Sequence, residues 1–317
     1  MDRTVRIATR RSHRRHSTLA DSLGHAIFAG SAAIIILSAA LVYYFVGSQA
    51  FQTFTQSHVD AGNFFFSSNW DAQDNFGILY FILGSFSLVL LSLVLAVPLS
   101  LGIAIFLSEI APPRIRSITR KAIELFLGIP SVIFGLVGLI VLVPLLRNAM
   151  NFIVGGIFFN GFGILPAMIV VSFMILPTIA TISYDAMQAV PRDLREGSYA
   201  MGATRWQTIR NIIIPASLSG IMTGVILGVA RALGETVAVA FVIGNSQRLP
   251  FGITHSYPYL YVGPTSVLTT QLLFNFKEAT QGSALYNSLW TICFVLVLIS
   301  GILVAVSRSF AAKSVYK

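Results

Sequence analysis

Charge is scarce in this chain of 317 residues: Asp, Glu, Lys and Arg make up 10% of it, against 55% hydrophobic residues and a mean hydropathy of +0.79. An ordinary soluble domain carries about a quarter charged residues, so the composition excludes that class. Cysteine is nearly absent. Cys293 stands alone inside an apolar run, which excludes an internal disulfide framework and a multi-cysteine metal site. The five histidines show no ligand spacing, so neither a metal nor another cofactor is assigned. No Gly-x-x-x-x-Gly-Lys-Ser/Thr phosphate loop occurs either. ATP is therefore not bound by that motif, and any ATP-driven work draws its energy from another polypeptide.

What is present is apolar length. A helix needs about 20 apolar residues to cross a bilayer. Six segments qualify, at about 25–47, 77–107, 124–146, 162–186, 215–244 and 285–307. The expected fold is an all-α integral membrane protein with six transmembrane helices. A tail at 1–24 precedes the first span, a core fills 77–307, and a second tail covers 308–317. The first apolar run is too long for a signal h-region and is closed by no small-x-small cleavage site, so it reads as a retained span.

Basic residues set the orientation. The N-terminal tail, the stretch from Arg114 to Lys121, the stretch from Arg192 to Arg210, and Arg308, Lys313 and Lys317 fall on one side; Arg147, Arg248 and Lys277 fall on the other. The positive-inside rule then puts both termini in the cytoplasm. The net charge of +9 lies in short loops between apolar spans, a topology signal and not a nucleic-acid footprint. The outer loops are different. Residues 48–76 carry Asp60, Asp71 and Asp74, no Lys or Arg, and Trp70. Residues 245–284 hold Tyr257, Tyr259 and Tyr261 between Pro250, Pro258 and Pro264, which argue against one continuous helix. This aromatic segment reads either as an interfacial belt or as a docking surface for an external partner.

Two opposite charges interrupt the fifth span, Arg231 and Glu235. A charge at the bilayer centre costs a few kcal/mol or more, so such groups face a protein interior or a watery path. On one helix at about 100° per residue, Gly220, Gly224, Gly228, Arg231 and Glu235 fall within an arc of roughly 80°. Small residues at four-residue spacing let membrane helices approach closely. About 24 Å of helix separates Pro215 from Arg231, which puts the guanidinium near mid-membrane. Two readings stand: a self-neutralising structural clamp, or a path for a polar, anionic solute. The order Arg-then-Glu is the poorer one for an i,i+4 pair, which favours the path. Arg binds phosphate oxygens in pairs. Glu235 would hold the Arg side chain and keep the anion from being trapped, since conduction needs a site that also releases.

The loop at 191–214 is the most motif-like stretch. Pro191 suits the first position of a helix, Asp193 and Glu196 its positive end, and Gly202 a left-handed stop. Thr204 and Gln207 have capping-box spacing for a second helix. Two short helices would meet at Gly202 as a rigid elbow just before a span. Elsewhere, Glu124 is expected to start the third span, and Pro130 and Pro177 to kink theirs.

In the elbow, Glu196-Gly-Ser-x-x-x-Gly202, nine residues, then Ile212-x-Ile-Pro215 resembles the EAA signature of ABC importer permeases, the MetI-like type I transmembrane domain. Gly197 and Ser198 replace the two alanines and Ile214 the leucine. Pro98–Glu109, Glu124–Gly135, Ile175–Ala180 and Arg231-Ala-Leu-Gly-Glu-Thr236 are similar to the phosphate-specific, PstC-type branch. The resemblance implies a non-catalytic subunit forming half of a solute path, with Arg231, Glu235 and Thr236 along it. It also implies a cytoplasmic coupling helix that docks into an ATPase, with Glu196 and Gly202 shaping it and Arg195 and Arg205 as surface contacts. The implied partners are a homologous permease in a heterodimer, a dimer of ATP-binding subunits and an extracytoplasmic phosphate-binding protein, in membrane lipid and without nucleic acid. Rival readings are the same architecture carrying molybdate or a sugar, an integral-membrane lipid enzyme, and a passive channel.

Overall fold

Among the described residues, six helical runs are long and apolar enough to cross a membrane, and they form in the order the apolar segments prescribe. In the computed structural model the described residues are 3–71, 75–154, 160–246, 253–254, 257–258 and 263–315. Asp74, Arg248, Pro250, His255, Tyr259, Tyr261 and Lys317 lie outside them, as do the side chains of the basic N-terminal tail.

Helix α1 (Arg3–Thr55) is followed by α2 (Ala61–Phe66) and a short antiparallel pair, β1 (Trp70–Asp71) with β2 (Asn75–Phe76). Next come α3 (Leu79–Ile105), extended by a π-helical turn (Phe106–Ile110), and α4 (Pro113–Leu127). Then α5 (Ser131–Val137), a second π-helical turn (Gly138–Leu142) and α6 (Val143–Val154) run on without a break. Helix α7 (Ile164–Gln188) leads to the elbow, α8 (Arg192–Ala200) and α9 (Arg205–Thr208). A third π-helical turn (Ile209–Ile213) joins α9 to α10 (Ile214–Gly234), after which α11 (Val237–Val242) begins. The pair β3 (Ile253–Thr254) with β4 (Tyr257–Pro258), α12 (Leu268–Asn275) and α13 (Ala284–Val315) complete the chain.

Helix α7 is the axis of the bundle. Over its most apolar window 61% of residues are buried, against 0% for α1, whose apolar side chains face outward. In lipid there is no hydrophobic drive between helices, so close approach and interhelical hydrogen bonds must join them. Against α3 the joints are serines: Ser172 Oγ donates to the Ser92 carbonyl (3.0 Å) and Ser100 Oγ to the Leu176 carbonyl (3.0 Å). Against α10 they are the expected glycines. A Cβ on Gly220 would strike Ala186, one on Gly224 would meet Ile182 Cβ at 3.2 Å, and one on Gly228 would lie 2.7 Å from Ile179 Cδ1. The glycine stripe is therefore the seam between α10 and α7. Ala96, Ile175, Ile179, Val229 and Val239 fill the core around it.

Three local expectations are corrected. Glu124 lies in the last turn of α4, not at the start of a helix, and is neutralised by Arg120 one turn back (3.2 Å). Pro130 does not kink a continuous helix: it precedes α5 as its N-cap, after a break at Gly128 and Ile129. The fifth span does not run to residue 244, because α10 stops at Gly234 and the chain resumes as α11.

Candidate functional site

The break after Gly234 builds the first site. Glu235 is in extended conformation, so the helical stripe ends before it. Arg231 sits in the last turn of α10, where the negative end of the helix dipole favours a cation. Its half-buried guanidinium donates from Nη1 to Thr178 Oγ1 at 3.2 Å. Thr178 lies near the middle of α7, so the guanidinium lies at half the depth of the most buried helix.

Among the described residues Arg231 and Glu235 form no ion pair, so the structural clamp is not made and the expectation that Glu235 holds the Arg231 side chain is corrected. Glu235 works instead on the broken backbone: its Oε1 accepts the Ala238 N–H at 3.2 Å, at the start of α11. Thr269 Oγ1 donates to the Glu235 carbonyl (3.3 Å), and Thr236 Oγ1 to the Gly234 carbonyl (3.4 Å). Irregular backbone at membrane depth is tolerated only where protein or an aqueous cavity satisfies it, and these three side chains supply that. Ser85, Glu235 and Thr269 line one narrow cleft beside α12. The sequence did not single out Thr178. A hydroxyl directly after Pro177, in an otherwise apolar run, was the available signal.

The elbow is the second site. Gly202 has φ +81°, and nothing lies within 4 Å of where its Cβ would be. It ends α8 in the left-handed conformation, with its N–H on the Tyr199 carbonyl (3.0 Å) and the Ala203 N–H on the Ser198 carbonyl (3.2 Å). Thr204 and Gln207 form the capping box of α9. Pro191 takes the cap position itself, one residue ahead of where it was expected. Ser198 Oγ and Thr208 Oγ1 are 2.9 Å apart and buried, pinning the two short helices together. Glu196 and Arg205 are exposed, and so are Leu194, Tyr199, Met201 (88%) and Trp206 (60%), an apolar surface rimmed by charge.

Arg195 is not a surface contact. Its side chain is 16% exposed and turns back toward the bundle, where Nη2 meets Glu109 Oε1 at 3.2 Å. The same guanidinium donates to the carbonyls of Met187 (2.7 Å) and Val190 (3.1 Å). Glu109 was also missed. An acid at the C-terminal end of a helix opposes the dipole and requires a cation, which was the legible sign. Nearby, Arg120 contacts Asp185 (3.7 Å) and lies over the Tyr184 ring. The hydrogen bond to Glu124, and then the charge of Asp185, hold the Arg120 pKa above its ordinary value.

A six-span bundle with an exposed elbow and a cation at mid-depth is the architecture of a transport permease. The chain belongs to the binding-protein-dependent transport system inner membrane component family, whose model matches residues 96–315. Over 305 residues it is 40% identical to a probable ABC transporter permease protein, YqgH, of Bacillus subtilis, covering 95% of this chain and 94% of that one. It is 37% identical to the phosphate transport system permease protein PstC of Xylella fastidiosa, covering 87% and 84%. Among solved structures, a bacterial alginate ABC transporter in complex with its pentasaccharide-bound periplasmic protein aligns with TM-score 0.61 at 16% identity, covering 89% of this chain and 93% of that chain. The MetNI methionine transporter aligns at 0.50 and 18% identity, covering 75% and 94%. These two likenesses concern the fold alone.

Proposed function

We propose that this chain is a transmembrane subunit of an ATP-driven phosphate importer in a bacterial cell membrane, forming half of the translocation path. The observation that carries the reading is Arg231: a guanidinium at mid-depth, anchored by one hydroxyl, with donors left for an oxyanion. The phosphate assignment is supported by the PstC relatives, at 33–37% identity over most of the chain. Both termini face the cytoplasm on the strength of the basic loops, which puts the elbow on that side too.

The elbow then receives force. Leu194, Tyr199, Met201 and Trp206 form the apolar centre of a docking face, with Glu196 and Arg205 at its rim and Gly202 setting its angle. A separate ATP-binding dimer docks there and hydrolyses the nucleotide. A homologous permease closes the other half of the path, and an extracytoplasmic binding protein delivers the anion. Arg231 draws the anion inward; Glu235 and Thr236 keep the broken helix open beside it. Phosphate-stimulated ATP hydrolysis in the reconstituted complex, with molybdate and a sugar as competitors, tests the reading. Stimulation by phosphate alone is expected, and stimulation by another solute instead would overturn it.

A further inference from the structure

We infer that Arg195 is a positioning residue that locks the elbow to the near ends of α3 and α7, so that movement of α8 reaches the helix that holds Arg231. This rests on the reading of the chain as an ATP-driven permease.

The geometry is specific. On α8 the neighbours of Arg195 point outward, Leu194 being 46% exposed and Glu196 exposed. Arg195 turns inward instead, to a carboxylate whose side chain is 10% exposed. One guanidinium reaches three acceptors on two elements: Glu109 Oε1 on the π-helical turn after α3, and the carbonyls of Met187 and Val190 where α7 ends. Met187 lies in the last turn of α7, where carbonyls lack intrahelical partners, and Val190 lies just past the helix end. The tie spans 86 positions of sequence, so it joins elements that chain connectivity does not. The same turn is gripped from two further sides: Gln188 Nε2 and Arg116 Nη2 both donate to the Ser108 carbonyl (3.2 and 3.3 Å).

Helix α7 continues the line. From Met187 to Thr178 is nine residues, or about 13 Å of helix, through the most buried element of the bundle. Thr178 then holds Arg231. Stability is a poor explanation for the pair, because a largely buried ion pair is often no better than an apolar one. Arg195 Nε is moreover buried with no partner among the described residues, a cost that a purely stabilising contact would avoid. A rigid link between a moving surface and a buried helix accounts for both.

The test uses the complete complex in proteoliposomes, reading phosphate uptake and ATP hydrolysis in the same vesicles. Arg195→Gln and Glu109→Ala are each expected to lower phosphate moved per ATP about fivefold or more, with hydrolysis retained. The double variant is expected to be no worse than Arg195→Gln alone, and Glu109→Asp to recover part of the ratio. A parallel fall in uptake and hydrolysis at unchanged ratio, or additive losses in the double variant, would overturn the inference. A readout independent of solute uses Thr178→Cys in a Cys293→Ala background. ATP should change the thiol labelling rate at position 178 with Arg195 present and leave it unchanged in Arg195→Gln; equal responses in both would also overturn it. If the unaltered complex moves no phosphate, the phosphate reading falls, and the labelling result alone judges Arg195.

Discussion

Arg231 donates to Thr178 across 3.2 Å, and this bond, not a pairing with Glu235, fixes where the guanidinium points. Hydrogen bonds to charged groups contribute about 1.5–3 kcal/mol. Thr178→Val removes the acceptor at nearly constant shape, so phosphate uptake at low phosphate should fall several-fold. Thr178→Ser keeps the oxygen and should stay close to the unaltered protein. Initial rates of uptake in vesicles separate the two.

The elbow angle depends on Gly202. Open space surrounds its missing Cβ, so Gly202→Ala adds no clash, only the left-handed strain of φ +81°, about 1 kcal/mol. Solute-stimulated hydrolysis should fall while the permease still inserts. Gly202→Asn, which tolerates that conformation better, should be milder.

Met201 and Trp206 are exposed at the elbow and belong to no core cluster. Substituting both with alanine should leave thermal stability within about 0.5 kcal/mol and reduce recovery of the ATP-binding subunit with the permease. Unchanged recovery would move the docking face elsewhere.

The seam between α10 and α7 leaves little room for a larger side chain. Gly228→Leu forces side-chain atoms into Ile179, already 2.7 Å from the position of a Cβ. Overpacking of this kind costs about 1–3 kcal/mol, measurable as a lower thermal midpoint in detergent. Gly197→Ala on the elbow, with nothing within 4 Å, should show no such loss.

Local signals in the sequence translated directly. The apolar runs, the Gly202 stop, the Thr204–Gln207 cap and the glycine seam each depend on residues a few positions apart, and each is present. Long-range partners were not legible. Nothing near Arg195 in sequence names Glu109, so a residue on an amphipathic, charged helix read as surface while its side chain is largely buried. Glu235 failed for a different reason. Helical periodicity was carried through Gly234, although glycine is a helix stop, and the residue after it caps α11 instead of extending the Arg231 stripe. Pro130 marks a break between two helices, and a proline inside an apolar run is equally consistent with a bend in one.

The central claim is that an oxyanion passes the guanidinium of Arg231, and phosphate uptake by membrane vesicles carrying the full complex with Arg231→Gln tests it most directly. The account predicts at least about a tenfold loss of uptake, the range expected when a charged group is taken from a binding site, with the ATP-binding subunit still recovered in normal amount. Normal uptake from a normally assembled complex would contradict it.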